Sequence, residues 1–347
     1  MPQKRVAVAM SGGVDSSVAA ALLKQAGYEV SGIYMQLWSD HNLARNISDL
    51  EHTCRLLDIP LYKIDLEREF QKLVIDYFCQ EYGRGRTPNP CIACNQHVKF
   101  GLLFDKALEM GAEYLASGHY ARIEQSPDGY RLLKAVDINK NQSYFLYTLG
   151  QRQLGHLLLP LAELNKEKVR RLATGLGLPA SSKRDSQDVC FIPDNDYRAF
   201  IAENIPLQTG DIVDINGKVL GKHSGLAQYT VGQKRGLGLA SNKQLYVLEL
   251  DAANNRLVVG SKDQTLHNVL FASKLSWVSG EAPAGPISIT AKVRYKAPEV
   301  AAELRPDDNG AEVRFAEPQV AIAPGQSAVF YQGDIVLGGG VIDAVLR

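Results

Sequence analysis

The chain has no excess of charge of either sign: 38 Lys and Arg offset 38 Asp and Glu. Global charge therefore gives no support for a nucleic-acid partner, and it does not exclude one whose footprint is a local basic face. Also missing is any apolar run long enough to cross a bilayer. The run after Lys4-Arg5 is too short for a secretory signal and ends in glycines, so no membrane partner is expected. Cysteine is scarce, five residues at uneven spacings, and an odd, irregular set suits a reducing compartment better than a disulfide framework. These absences predict a cytoplasmic protein. Repeats and low-complexity tracts are lacking too. Length is not: 347 residues exceed one ordinary core and predict two or three domains.

What is present starts with residues 6–17, Val-Ala-Val-Ala-Met-Ser-Gly-Gly-Val-Asp-Ser-Ser. Val6–Ala9 reads as a short buried strand, Gly12-Gly13 as a sharp turn, and Ser16-Ser17 as the opening of an Ala/Leu-rich helix. A strand passing through such a turn into a helix start gathers unpaired backbone N–H groups at the positive end of the helix dipole, a place for an anion. The lysine that closes a kinase-type loop is absent, and Asp15 stands in that region instead. An aspartate there suits a nucleotide whose phosphates bring Mg2+. Ser-Gly-Gly-x-Asp-Ser resembles the pyrophosphatase loop of enzymes that cleave ATP to AMP and pyrophosphate to activate a carbonyl or carboxyl oxygen. The bland alternative, a serine-capped turn without a ligand, is disfavoured by the strand–turn–helix setting.

Up to about residue 197 the chain alternates strands (Val6–Ala9, Glu29–Tyr34, Leu61–Ile64, Tyr114–Gly118) with amphipathic helices (Ser17–Gln25, Ser48–Leu57, Glu69–Glu81, Phe100–Glu109). That alternation predicts an α/β fold with a doubly wound parallel sheet and a ligand at the carboxyl ends of its strands. Ser117-Gly118-His119-Tyr120 ends one strand and is expected to reach the crevice of the glycine loop. After Pro193 the texture changes. Ile212–Val219 reads as a hairpin around Asn216-Gly217, followed by a Gly/Lys/Arg loop and a second strand pair, Leu245–Leu250 and Arg256–Val259. From about 271 the pattern is all-β, with Ile287, Ile289, Ala291, Val293 and Tyr295 at period two, as in a small barrel or sandwich. The expected domains are 1–197, 198–270 and 271–347: catalytic, small central and β-barrel-like.

Arg86-Thr-Pro-Asn-Pro-Cys91-Ile-Ala-Cys94-Asn-Gln-His97 lies between predicted helices. Its two prolines predict a fixed, exposed loop, the setting in which reactive thiols occur. Cys190 lies in a second loop, 183–192. Cys54 and Cys79 fall on apolar helix faces and read as inert core thiols. Four readings of the three loop cysteines stay open. They are a structural zinc site with His97, a persulfide relay resolved by disulfide exchange, a three-thiolate iron–sulfur cluster, or unrelated surface thiols.

Several motifs together resemble the tRNA-specific 2-thiouridylases, the MnmA or TrmU family. They are Ser11–Ser17, Thr87-Pro-Asn-Pro with Cys94-Asn, Gly118-His119-Tyr120, Asn141-Gln-Ser-Tyr-Phe-Leu-Tyr147, Asp185-Ser with Cys190-Phe-Ile, Gly232-Gln-Lys-Arg-Gly-Leu-Gly238, Arg294-Tyr295 and Pro324-Gly-Gln-Ser-Ala-Val-Phe-Tyr331. They fall in the family's order and cover nearly the whole chain. The resemblance implies a catalytic domain of the ATP-pyrophosphatase, adenine nucleotide alpha hydrolase-like type, and ATP-dependent exchange of the C2 oxygen of the wobble uridine (position 34) of tRNA for sulfur. It implies an ATP site on Ala9, Met10, Ser11, Gly12, Gly13, Val14, Asp15 and Ser16, with Met35 and Gly118 around the adenosine. Cys94 is the implied nucleophile and Cys190 the implied persulfide carrier, the pair closing a disulfide after transfer. Target-base contacts carry over to Asn89 and Pro90, with Cys91 beside them. Contacts to tRNA carry over to His119, Lys140, Asn141, Gln142, Arg294, Tyr295 and Gln326. A persulfide-donor protein or another sulfide source is the further implied partner. One position departs: many family members carry aspartate, a candidate acid/base, where this chain has Cys91. Cys91, Cys94 and Cys190 instead resemble the three-thiolate pattern of tRNA thiolases that hold a [4Fe-4S] cluster. Two competing readings are a synthetase or amidotransferase of the same loop class acting on a small carboxylate, and a non-catalytic RNA-binding protein.

Overall fold

The computed structural model describes residues 3–38, 43–182, 189–192, 194, 196–239 and 243–346. The Asp185-Ser186 motif and most of its loop, with Pro193, lie outside the described residues. Five parallel strands form the first sheet, in the spatial order Leu61–Asp65, Glu29–Gln36, Arg5–Ala9, Tyr114–Ala116 and Leu157–Leu158. Val6 and Val8 pack with Val30, Ala20, Leu23 and Leu50 on one face, whereas Ala7 and Ala9 pack with Ile33, Phe100, Leu103 and Phe104 on the other. A strand whose alternate residues are both buried is covered by helices on both faces, as a doubly wound sheet requires. Strand order reverses between Arg5–Ala9 and Tyr114–Ala116, so the crevice at their carboxyl ends is the switch point where such sheets bind ligands.

The second sheet runs in the order Tyr246–Asp251, Arg256–Gly260, Gly210–Val213 and Val219–His223, over a core that includes Ile212, Val247, Leu257 and Val259. The expected hairpin is there, and Gly217 at its tip takes φ +81°, a conformation only glycine adopts freely. The third is a closed antiparallel barrel. Leu266–Trp277, Gly310–Val320, Val300–Asp307, Ile287–Lys292, Ser327–Gln332 and Ile335–Leu346 pair in that order, and the last strand returns to the first.

Two features differ from the sequence reading. Ala121–Ser126 and Gly129–Lys134 form a hairpin that joins the barrel's last strand through Leu133 with Ile335 and Leu132 with Val336. Its pairing partner lies at the far end of the chain, so no local pattern reveals it. The segment expected to be an exposed loop around Cys91 and Cys94 is instead helical: a turn at Pro90–Ala93 continues through wider π turns at Cys94–Leu102 into Leu103–Glu109. Proline forbids a helix interior but suits its first position, where the missing N–H has no partner to lose. Asn89 caps the turn by accepting from Ile92 N–H at 3.3 Å, a contact worth about 1 kcal/mol. Cys94 is consequently buried, 8% exposed, with its side chain in a cluster with Phe78, Val98, Phe191 and Ile192.

Candidate active site

The glycine loop leaves the central strand as expected. Gly12 takes φ +74°, and Gly13 caps the helix Val14–Gln25 with no side-chain acceptor of its own. Ser16 and Ser17 turn their hydroxyls back to Gly13 O at 3.2 and 2.9 Å, and Ser16 Oγ also accepts from Ser11 N–H at 3.3 Å. Met10 is buried behind the loop and its N–H donates to Ile33 O. Met35, at the end of the second strand, packs at the junction of the core under the sheet and the cluster that holds Cys94.

Gly118 closes this crevice from the neighbouring strand end. A Cβ on it would lie 2.7 Å from both Asp15 C and Ser16 N, so only glycine permits the approach. Tyr120 then donates its hydroxyl to Asp15 Oδ1 at 2.8 Å. Lys166 Nζ meets both Asp15 oxygens, at 2.8 and 2.7 Å, from the first turn of the helix Lys166–Gly175. Its side chain is 12% exposed. Lys166 was not singled out from the sequence. A lysine therefore does stand beside the loop, brought by a helix far along the chain, and the only local signal was the Asn165 cap ahead of it.

His119 follows Gly118 and feels the charge of Lys99, which also acts on the thiols. Its Nδ1 shares a 2.8 Å hydrogen bond with Ser117 Oγ, and its ring lies 5.6 Å from that of Phe100. Burial, then the nearby charge of Lys99, holds its pKa well below 6.5, so the imidazole is neutral at physiological pH. Lys99 sits one wide turn after Cys94 and donates to Asn95 Oδ1 at 3.1 Å, while Asn95 Nδ2 donates to Phe145 O at 3.0 Å. Cys94 is buried and Cys91 lies at the surface, yet crowding by surrounding atoms pushes both thiol pKa values up, and Lys99 opposes the rise in each. Cys190 lies at the surface, yet crowding by surrounding atoms, then the charges of Cys94 and Cys91, push its pKa up to about 12, again against Lys99. The three cysteines thus share one electrostatic neighbourhood with a single named cation, Lys99. Nothing in the sequence marked Lys99, because a lysine five residues after a cysteine faces it only where the helix widens. Cys54 and Cys79 behave as core thiols: Cys54 Sγ packs on Met10 Sδ at 3.8 Å, and burial raises both pKa values, that of Cys54 to about 11.

The residues expected at the RNA gather along the seam between this domain and the barrel. Tyr295 lies 4.4 Å from the Phe145 ring, and Lys140 is close enough for Tyr295 to feel its charge. Arg294 donates to Ala321 O, and Gln142 Oε1 accepts from Tyr120 N–H at 2.9 Å. Asn141 Oδ1 accepts from Ala135 and Ser143 N–H, which fixes the turn before Tyr144. Gln326 faces the cysteine segment, donating to Thr87 O at 2.9 Å. Among the described residues no three His, Cys, Asp or Glu side chains gather closely enough to hold a metal ion. Cys91, Cys94 and His97 in this arrangement therefore do not form a zinc site.

Comparison with known proteins follows the same layout. Residues 4–194 match the family model of the tRNA methyl transferase HUP domain, 198–261 that of the tRNA methyl transferase PRC-barrel domain, and 267–342 that of the aminomethyltransferase beta-barrel domain. The chain is 49% identical over 358 residues to the tRNA-specific 2-thiouridylase MnmA of Geotalea uraniireducens, covering 98% of this chain and 95% of that one. It is 42% identical over 359 residues to the protein of the same name from Clostridium perfringens, with both chains fully covered. A solved structure of the U34-tRNA thiolase NcsA from Methanococcus maripaludis, with its [4Fe-4S] cluster, covers 58% of this chain and 64% of its own at 18% identity and a TM-score of 0.37, too loose a likeness to carry an argument.

Proposed function

This chain belongs to the tRNA-specific 2-thiouridylase family, and on that premise we propose how its residues divide the work. It is a tRNA sulfurtransferase that uses ATP to 2-thiolate uridine. The reading of its site rests above all on one observation: Cys190, far from Cys94 and Cys91 in sequence, lies close enough to feel the charges of both, and Lys99 acts on these thiols and on His119, the residue after the Gly118 that packs on Asp15. MgATP binds at residues 9–16, its phosphates facing the helix start and Lys166, with Met35 and Gly118 near the adenosine. Asn89 and Pro90 receive the wobble uridine, which lies in a single-stranded loop and leaves its stack at little cost.

The C2 oxygen of the base attacks the α-phosphorus of ATP and pyrophosphate leaves. A poor leaving group becomes an AMP ester. Cys190 carries a persulfide loaded by a donor protein or another sulfide source, and its outer sulfur attacks C2 as the C2–O bond breaks and AMP departs. The Cys94 thiolate then attacks Cys190 Sγ. The S–S bond breaks, its electron pair stays on the new thiocarbonyl sulfur, and a Cys94–Cys190 disulfide remains for an external dithiol to reduce. Lys99 offsets part of the cost of a thiolate in this buried setting. Lys140, Asn141, Gln142, Arg294, Tyr295 and Gln326 line the seam along which the anticodon stem-loop lies. We assign the catalytic part to 1–197 and the central part to the residues from 198 up to the barrel, whose first strand begins at Leu266, ahead of the expected 271. The relay runs on the thiols alone and routes no step through a cluster.

Mass spectrometry of nucleosides from tRNA incubated with ATP, a reductant and a persulfide source tests the reading. Iron-free protein is expected to yield 2-thiouridine at position 34, with one AMP per sulfur. Activity that requires iron overturns the relay. AMP release driven by a small carboxylate and not by tRNA favours the synthetase alternative.

A further inference from the structure

The two residues ahead of the Pro88-Asn89-Pro90 turn are held by the barrel as much as by their own domain. Arg86 straddles the boundary. Its Nε donates to Glu81 Oε2 at 2.8 Å, and its Nη2 donates to Asp343 Oδ1 at 2.8 Å and Ile342 O at 3.2 Å. Glu81 is almost wholly buried, 4% exposed, and its other oxygen takes Arg84 at 3.1 Å. Thr87 N–H donates to Pro324 O at 2.8 Å, and Gln326 returns a bond to Thr87 O at 2.9 Å. Between them Gly325 stands at φ +92°, where a Cβ would come within 2.8 Å of Thr87 N and 3.0 Å of Arg86 Cβ. The barrel loop is thus shaped to close on this segment.

We infer that Arg86, Asp343 and the Gly325-Gln326 loop form a bracket through which the barrel sets the position of the target-base turn and of the helix that carries Cys94. The inference deepens the reading of Asn89–Cys94 given above and rests on it. Its physical basis is stiffness. Only Thr87 and Pro88 separate the bracket from Asn89, and Pro88 and Pro90 have fixed φ, so a displacement at Arg86 passes to the turn nearly undamped. The barrel also carries Arg294 and Tyr295 on the RNA side of the seam. RNA and catalytic turn are then registered to one body, and small shifts of the barrel move both together. Arg86 acts through the turn, as a positioning residue.

Arg86→Gln and the near-isosteric Asp343→Asn test this in the full-length protein with uridine-34 tRNA. Misplacement of about 1 Å is enough to cost up to a hundredfold in rate. Each variant is therefore expected to lower kcat for tRNA-dependent AMP formation by about tenfold, counted per ATP-binding site, with KM for tRNA and ATP within about twofold of wild type. The double variant is expected to be no worse than either single one, because the two side chains act as one unit. Arg86→Lys, which keeps the charge, is expected to recover part of the rate. A merely structural role predicts instead fewer ATP-binding sites with unchanged kcat per site, and that result overturns the bracket, as do additive losses in the double variant. Wild-type protein runs alongside. If wild type thiolates uridine while both variants match it, the bracket fails and the reading of the site stands. If wild type yields no thiolated uridine, the reading itself falls and takes the bracket with it.

Discussion

The glycine loop and the cysteine segment are the two regions to which the proposed mechanism gives the chemistry, and they are built in opposite ways. The loop is local: strand, turn and helix are consecutive, and its backbone N–H groups converge because Gly12 takes a left-handed φ and Gly13 opens a helix. Its electrostatics are completed from outside by Lys166 and Tyr120 on Asp15. The cysteine segment is tertiary almost throughout. Cys94 sits in a helix whose start is pinned from the barrel, Cys190 arrives from a distant turn, and Lys99 reaches the thiols only because the helix widens. The comparison teaches that an anion site needs one well-made turn, whereas a two-thiol site needs two parts of the chain to be brought together.

The sharpest way to break this division is to disable each half separately. Asp15→Ala is expected to remove tRNA-dependent AMP formation while leaving tRNA binding intact. Cys94→Ser should lose thiolation by about a thousandfold or more, on the scale seen for loss of a covalent nucleophile, yet still form AMP ester and pyrophosphate. Pyrophosphate release and nucleoside mass spectrometry read the two halves independently, and thiolation by either variant refutes its assigned role. Lys166→Gln comes next: loss of a cation facing transferring phosphates is expected to slow adenylation by about a hundredfold and to leave a preformed persulfide on Cys190 untouched. Retained adenylation would return Asp15 to the loop as its sole charged group.

Smaller effects probe the thiol side. Lys99→Met removes the cation that opposes the upward thiol shifts, so a smaller fraction of thiolate exists at any given pH. The transfer rate is expected to fall about tenfold near neutrality and to recover as pH rises, its profile displaced to higher pH, while adenylation keeps its own profile. An unmoved profile would show that Lys99 does not act on the thiols. Cys91→Ser is expected to change the rate by no more than about threefold, because Cys91 is neither donor nor attacker in the relay. A large loss, or iron lost together with activity, would move Cys91 into the chemistry.

Much of the fold was legible. The continuous apolar run Val6–Ala9 and the alternation of such strands with helices declared a doubly wound sheet, and Ser117-Gly118-His119-Tyr120 ends a strand in the same crevice. The hairpin at Asn216-Gly217 was equally plain, since a tip glycine needs only local sterics. In segment 86–97 the prolines read locally as helix breakers, although Pro90 opens a helix. The hairpin 121–134 went unread because it completes a sheet whose other strands lie in another part of the chain.

The sequence by itself determined what is encoded in neighbouring residues: the strand–turn–helix glycine loop, the parallel sheet around it, the β-rich second half and the family to which the chain belongs. Tertiary structure alone decided their company. It brought Lys166 to Asp15, gathered three cysteines around Lys99, and let the barrel grip the turn that precedes Cys94. The physical reason is range. Backbone turns and caps are set by sterics and hydrogen bonds over a few residues, whereas charge pairing and burial act between whatever side chains the fold makes neighbours.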